Sequence, residues 1–109
     1  MPTGSLLDLC TVKMTVLNQE EIERELTQLS KGWFYNANTL VGKFSFKKYL
    51  GALDFVNAVG LLAENQQHHP SIKLDYGQVE IHITTHDADN SLTDKDFKLA
   101  AAIDQILLE

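Results

Sequence analysis

A lone cysteine, Cys10, excludes an intrachain disulfide and any CxxC metal or redox motif from this 109-residue chain. Cations are scarce as well, with nine lysines and arginines against fifteen aspartates and glutamates and a formal net charge of -6. Nucleic-acid grooves rely on clustered cations that displace counterions, so direct nucleic-acid binding is disfavoured, and an anionic membrane surface for the same reason. Nowhere do about 18 apolar residues run together, the length a membrane span needs. The opening stretch, MPTGSLLDLCTVKMTV, has no basic n-region and is interrupted by Asp8 and Lys13. Phosphate cradles of the GxxxxGK and GxGxxG types are missing, as is a GxSxG elbow, and Cys10 has no histidine near it in sequence to activate it as a nucleophile. The expectation is a soluble cytoplasmic protein, with nuclear entry left open.

What the chain does contain is ordinary globular material, 44% hydrophobic and 22% charged. Its length suits one domain over residues 1–109, with 1–17 as a loosely ordered extension. A domain of this size removes roughly 65% of its unfolded surface from water, enough for one core with little margin.

Periodicity divides the chain into seven elements. Asn18 and Glu21 form a capping-box pattern, and Ile22, Leu26 and Leu29 recur at helical spacing before Gly32, which predicts a helix over 19–31. Aromatic and β-branched residues from Trp33 to Phe46, broken by Asn36, Ala37 and Asn38, read as a hairpin. Ala52, Phe55, Val56, Val59, Leu62 and Ala63 predict a long amphipathic helix within 47–66 that stops before Pro70. Ile72 and Leu74, then Val79, Ile81 and Ile83, alternate with polar residues around a turn at Tyr76 and Gly77, a second hairpin. Thr93 and Asp96 open a last helix from 94, apolar on nearly all sides, which a subunit contact could help to cover. The order α-β-β-α-β-β-α points to an α+β fold, a four-stranded antiparallel sheet with helices on one face.

All four histidines, His68, His69, His82 and His86, fall in one stretch. Histidine gives and takes protons near neutrality, although single histidines commonly just tolerate strand ends and half-exposed surfaces. Here His68 and His69 end the long helix against Pro70, and parity puts Glu80, His82, Thr84 and His86 on the strand face opposite the apolar residues. Three histidines and a carboxylate could ligate zinc, but adjacent residues project divergently and no established zinc spacing is present. Proton transfer by histidines, tuned by Glu64 and Asp96, fits better. Asp96 also reads as a capping residue, Glu64 as a solvated residue near a helix end, and Trp33 as packing.

Glu64, His68, His69, Pro70, Tyr76, His86 and Asp96, with three residues after Glu64, five after Pro70 and nine on either side of His86, together resemble the signature of the pterin-4a-carbinolamine dehydratases. The resemblance covers about residues 19–107 and includes Gly32–Trp33, Phe44–Phe46, Thr85–His86 and Leu92–Asp96. It implies the fold above, no metal or organic cofactor, and a hydro-lyase that dehydrates 4a-hydroxytetrahydrobiopterin to quinonoid dihydrobiopterin, recycling the cofactor of aromatic amino acid hydroxylation. It assigns His68 and His86 as general acid/base groups and His69 to contacting the reduced pterin with a lesser proton-transfer role. Asp96 would hold or polarise a histidine or the pterin, Glu64 would support the His68–His69 corner, and Pro70 and Tyr76 complete the motif. It further implies homodimers or homotetramers. Some members are dimerisation cofactors of a homeodomain transcription factor, which leaves a non-enzymatic, oligomerising interaction module as the alternative. Ser71–Ile72 replaces an acidic residue and tryptophan common after the proline, and one extra residue separates His86 from the last helix; both bear on pocket shape.

Overall fold

The computed structural model describes residues 16–85 and 91–108. Seven elements follow in order: α1 (Gln19–Leu26), β1 (Trp33–Asn36), β2 (Thr39–Ser45), α2 (Tyr49–Gln66), β3 (Ser71–Asp75), β4 (Gln78–Ile83) and α3 (Asp94–Leu108). The strands form one antiparallel sheet in the order β1-β2-β4-β3. β4 therefore lies inside the sheet, its backbone paired on both sides.

Alternation decides the two faces. Leu40, Phe44, Val79, Ile81 and Ile83 turn inward and join Ile22 of α1, Ala52, Phe55 and Val59 of α2, and Phe97, Leu99, Ala100 and Ile103 of α3 in one apolar cluster. Trp33, Phe44 and Phe55 meet edge-to-face, with centroids 5.4 Å apart at both contacts. Gly42 makes this possible, since a Cβ there would come within 2.7 Å of the Trp33 ring and 2.8 Å of Phe44. The fold is thus the α+β arrangement that the element pattern predicts. Among the described residues no helix is long and apolar enough to cross a membrane.

Several local expectations are met and two are corrected. The Asn18–Glu21 capping box is complete in both directions, at 2.8 and 2.9 Å. Ala37 and Asn38, both at positive φ, make the two-residue turn between β1 and β2. α1, however, ends at Leu26 rather than Lys31. The Thr27 hydroxyl bonds back to Arg24 O, and the Gln28 and Leu29 N–H groups take partners three residues back, tightening the chain out of α-geometry. Ser30 is then held from across the fold by Asp104, which accepts from its N–H and hydroxyl and from Trp33 Nε1. Val16 and Leu17, expected in a loose extension, are tied down instead: Val16 bridges to Thr93, and Leu17 N–H donates to Leu92 O at 2.9 Å.

Candidate active site

The end of α2 sets the geometry. Gln67 adopts the left-handed conformation (φ 53°, ψ 43°), and His68 N–H donates to Ala63 O, a closure that satisfies the last carbonyls and turns the chain sharply. Pro70 stiffens the exit into β3. The two neighbouring histidines consequently leave in different directions.

His68 turns inward. Its Nε2 lies 2.6 Å from Asp96 Oδ1, and the two side chains are 11% and 0% exposed. Asp96 Oδ2 accepts from Thr85 Oγ1 and from Thr93 N–H, each at 2.8 Å. Since the Thr85 proton is committed to Asp96, the Thr93 hydroxyl donates to Thr85 Oγ1 across 2.8 Å. Facing a carboxylate, which only accepts, His68 Nε2 is the donor of this pair, and among the described residues Nδ1 makes no hydrogen bond. Asp96 therefore does two jobs at once: it closes the first turn of α3 and it fixes an imidazole.

His69 turns outward. Its Nε2 is 2.8 Å from Glu64 Oε1, with the side chains 59% and 71% exposed. Hydrogen bonding to His69, its nearby charge, and then Gln67 hold the Glu64 carboxyl below the usual glutamate range. Glu64 thus supports His69 rather than His68. A third pair shows in the sequence only as shared strand parity: His82 Nε2 and Glu80 Oε2 meet at 2.6 Å on the outward face of β4. The His82 hydrogen bond holds the Glu80 carboxyl below its ordinary value, with Lys43 and Lys73 adding to the effect and desolvation opposing it.

His69, Ser71, Lys73, Glu80, His82, Thr39 and Thr84 line a cavity of about 340 Å³ on the sheet face away from the helices. That is within the range of roughly 300–1,000 Å³ for small-molecule sites. Tyr76 is not brought to this place. It sits at positive φ (56°) in the β3–β4 turn, 70% exposed and stacked on Tyr49, at the opposite end of the hairpin from Ser71 and His82. His86 lies outside the described residues; the chain reaches it directly from Thr85, the Asp96 partner. Among the described residues no three histidine, cysteine, aspartate or glutamate side chains gather as a metal-ligand set.

A family model for pterin 4 alpha carbinolamine dehydratase matches residues 15–106, most of the chain. The chain belongs to this family. A Chloroflexus aggregans dehydratase-family protein, named "Putative pterin-4-alpha-carbinolamine dehydratase", is 45% identical over 94 residues, covering 86% of this chain and 99% of that relative. A Picosynechococcus protein of the same name is 41% identical over 92 residues, covering 84% and 98%. Among solved structures of the pterin dehydratase fold, the crystal structure of a transcriptional coactivator/pterin dehydratase from Brucella melitensis superposes with a TM-score of 0.78 at 29% identity, covering 84% of this chain and 98% of the other.

Proposed function

We propose that the protein is a hydro-lyase that converts 4a-hydroxytetrahydrobiopterin to quinonoid dihydrobiopterin, with histidines as its acid and base. In that reaction the C4a–O bond breaks as an acid protonates the departing hydroxyl, and a base takes the N5 proton while the C4a–N5 double bond forms, so water is the only by-product. His68 and His86 fill the acid and base roles, and His69 contacts and orients the ring. The observation that carries this reading is the buried His68–Asp96 pair, whose carboxylate orients one imidazole beside a corner whose second histidine opens on a cavity. Such positioned proton transfer contributes typically about 10²–10⁴-fold to rate. Support also comes from the family membership and the dehydratase names of the relatives.

The deciding measurement is stopped-flow dehydration by the purified protein beside His68→Ala and His86→Ala. Wild type accelerates loss of the 4a-hydroxyl without added metal, and each variant is slowed by about a hundredfold. Activity that survives both replacements in a folded protein would sink the mechanism.

The same fold also has surface suited to self-association. Leu61 is 73% exposed, and it lines with Ala58, Leu62 and Ile106 an apolar groove of about 590 Å³ between α2 and α3. A homodimer or homotetramer burying this groove is part of the reading, and a protein that stays monomeric at micromolar concentration in equilibrium sedimentation would remove it. The Brucella melitensis neighbour is by name both a transcriptional coactivator and a pterin dehydratase. A pure interaction module would be favoured by a wild-type protein with no dehydratase activity whose partner complex survives histidine replacement.

A further inference from the structure

Glu80 and His82 take no part in the mechanism above, yet they occupy the wall of the same cavity as His69. We propose that this pair recognises the pyrimidine half of the pterin, with the Glu80 carboxylate accepting from the adjacent 2-amino and N3–H groups. The inference rests on the dehydratase reading and extends it to residues that orient the substrate.

The first argument is placement. Val79, Ile81 and Ile83 are buried in the core, so Glu80 and His82 stand on the opposite face of β4. β4 is paired on both sides, with Lys43 and Lys73 opposite Glu80 and Val41 and Ser71 opposite His82. A group mounted on an interior strand is held more firmly than one on a loop.

The second argument is hydrogen-bonding capacity. An ionised carboxylate has about four lone-pair positions, and among the described residues His82 is the side chain that hydrogen-bonds Glu80. The bond fixes one oxygen and leaves the remaining positions for a ligand. His82 and Glu80 are 42% and 35% exposed, and a pair so exposed adds little to stability, so holding the fold together does not account for it.

The third argument is complementarity. The 2-amino-4-oxo pyrimidine edge offers two donors side by side and then a carbonyl acceptor. A carboxylate matches the two donors in bidentate fashion, and the Lys73 ammonium, which lines the cavity across from Glu80, matches the carbonyl. His82 acts through Glu80 and is a positioning residue.

The test uses the full chain in the dehydration assay with two competitive inhibitors, 7,8-dihydropterin, which carries the 2-amino group, and 7,8-dihydrolumazine, which has an oxygen there. Wild type should bind dihydropterin about tenfold or more tightly than dihydrolumazine, the scale of a charge-assisted hydrogen bond. Glu80→Gln, which replaces one acceptor by a donor, should bring the two inhibition constants within about threefold and raise KM about tenfold, with kcat within about twofold. His82→Gln, which keeps a donor for Glu80, should retain the preference, and His82→Leu should weaken it. An active wild type whose Glu80→Gln variant keeps both KM and the inhibitor ratio overturns the inference and leaves the dehydratase reading standing. A wild type that neither turns over nor binds either inhibitor overturns both.

Discussion

His68 and His69 are adjacent in sequence, and each bonds a carboxylate through Nε2, at 2.6 and 2.8 Å. One pair is nearly enclosed, with Asp96 fully buried and only an edge of His68 reaching solvent, and the other stands in water. The buried pair has nowhere else to turn: Asp96 is gripped by Thr85 and the Thr93 N–H, and removing any member strands a polar group without solvent. The exposed pair trades each bond for water at little cost. Identical chemistry can therefore be a rigid fixture at one residue and an adjustable contact at the next.

The strongest way to break the contrast is Asp96→Asn. The amide oxygen still accepts from Thr85 and the Thr93 N–H, but its NH2 faces His68 Nε2 and is matched only when the imidazole moves its proton to Nδ1, so a stability loss of about 1–3 kcal/mol is expected in urea unfolding. Dehydration should fall about a hundredfold or more in the same variant, because His68 loses its fixed tautomer. Next comes His68→Gln, slowed by about a hundredfold with smaller loss of stability, separating the proton from the packing. A double-mutant cycle then sharpens the comparison: His68 with Asp96 should couple by about 1–3 kcal/mol, whereas His69 with Glu64 should show coupling at the limit of detection. The smallest effect concerns pH. Glu64 and Glu80 both have carboxyls held below the ordinary value of 4.5, so what they contribute is present above that value and is lost as pH falls through their lowered pKa values. Glu64→Gln should slightly lower stability at neutral pH, leave it unchanged at the acid end where the carboxyl is already protonated, and so flatten the decline below pH 4.5, read from urea midpoints across that range.

The contrast also separates what the residues reveal from what they hide. Local rules suffice for the Asn18–Glu21 cap, for the inward set Val79, Ile81 and Ile83, and for the exit of α2 ahead of Pro70, because each depends on neighbours a few residues away. The end of α1 escapes them because Asp104, 74 residues distant, holds Ser30. At the candidate site, spacing nominates Asp96 and His68, but neither their contact nor the Thr85 hydroxyl behind it follows from spacing. The Glu80–His82 pair shows only as matching parity on one strand. That Tyr76 is parted from His68 and His69 depends on which end of the hairpin faces the α2 exit, and no local pattern records that.

The Thr85 and Ser91 backbones are bridged, Thr85 N–H to Ser91 O at 3.1 Å, while Leu17 secures the neighbouring Leu92. Both flanks of residues 86–90 are thereby anchored to the sheet and to α3 independently of what lies between them. Doubling the length of a closed loop costs only about 0.6 kcal/mol. Changes of length or composition confined to positions 87–90 can accordingly leave Thr85 and Thr93 on the Asp96 carboxylate, while His86, which the proposed reaction needs, stays outside the exchangeable stretch.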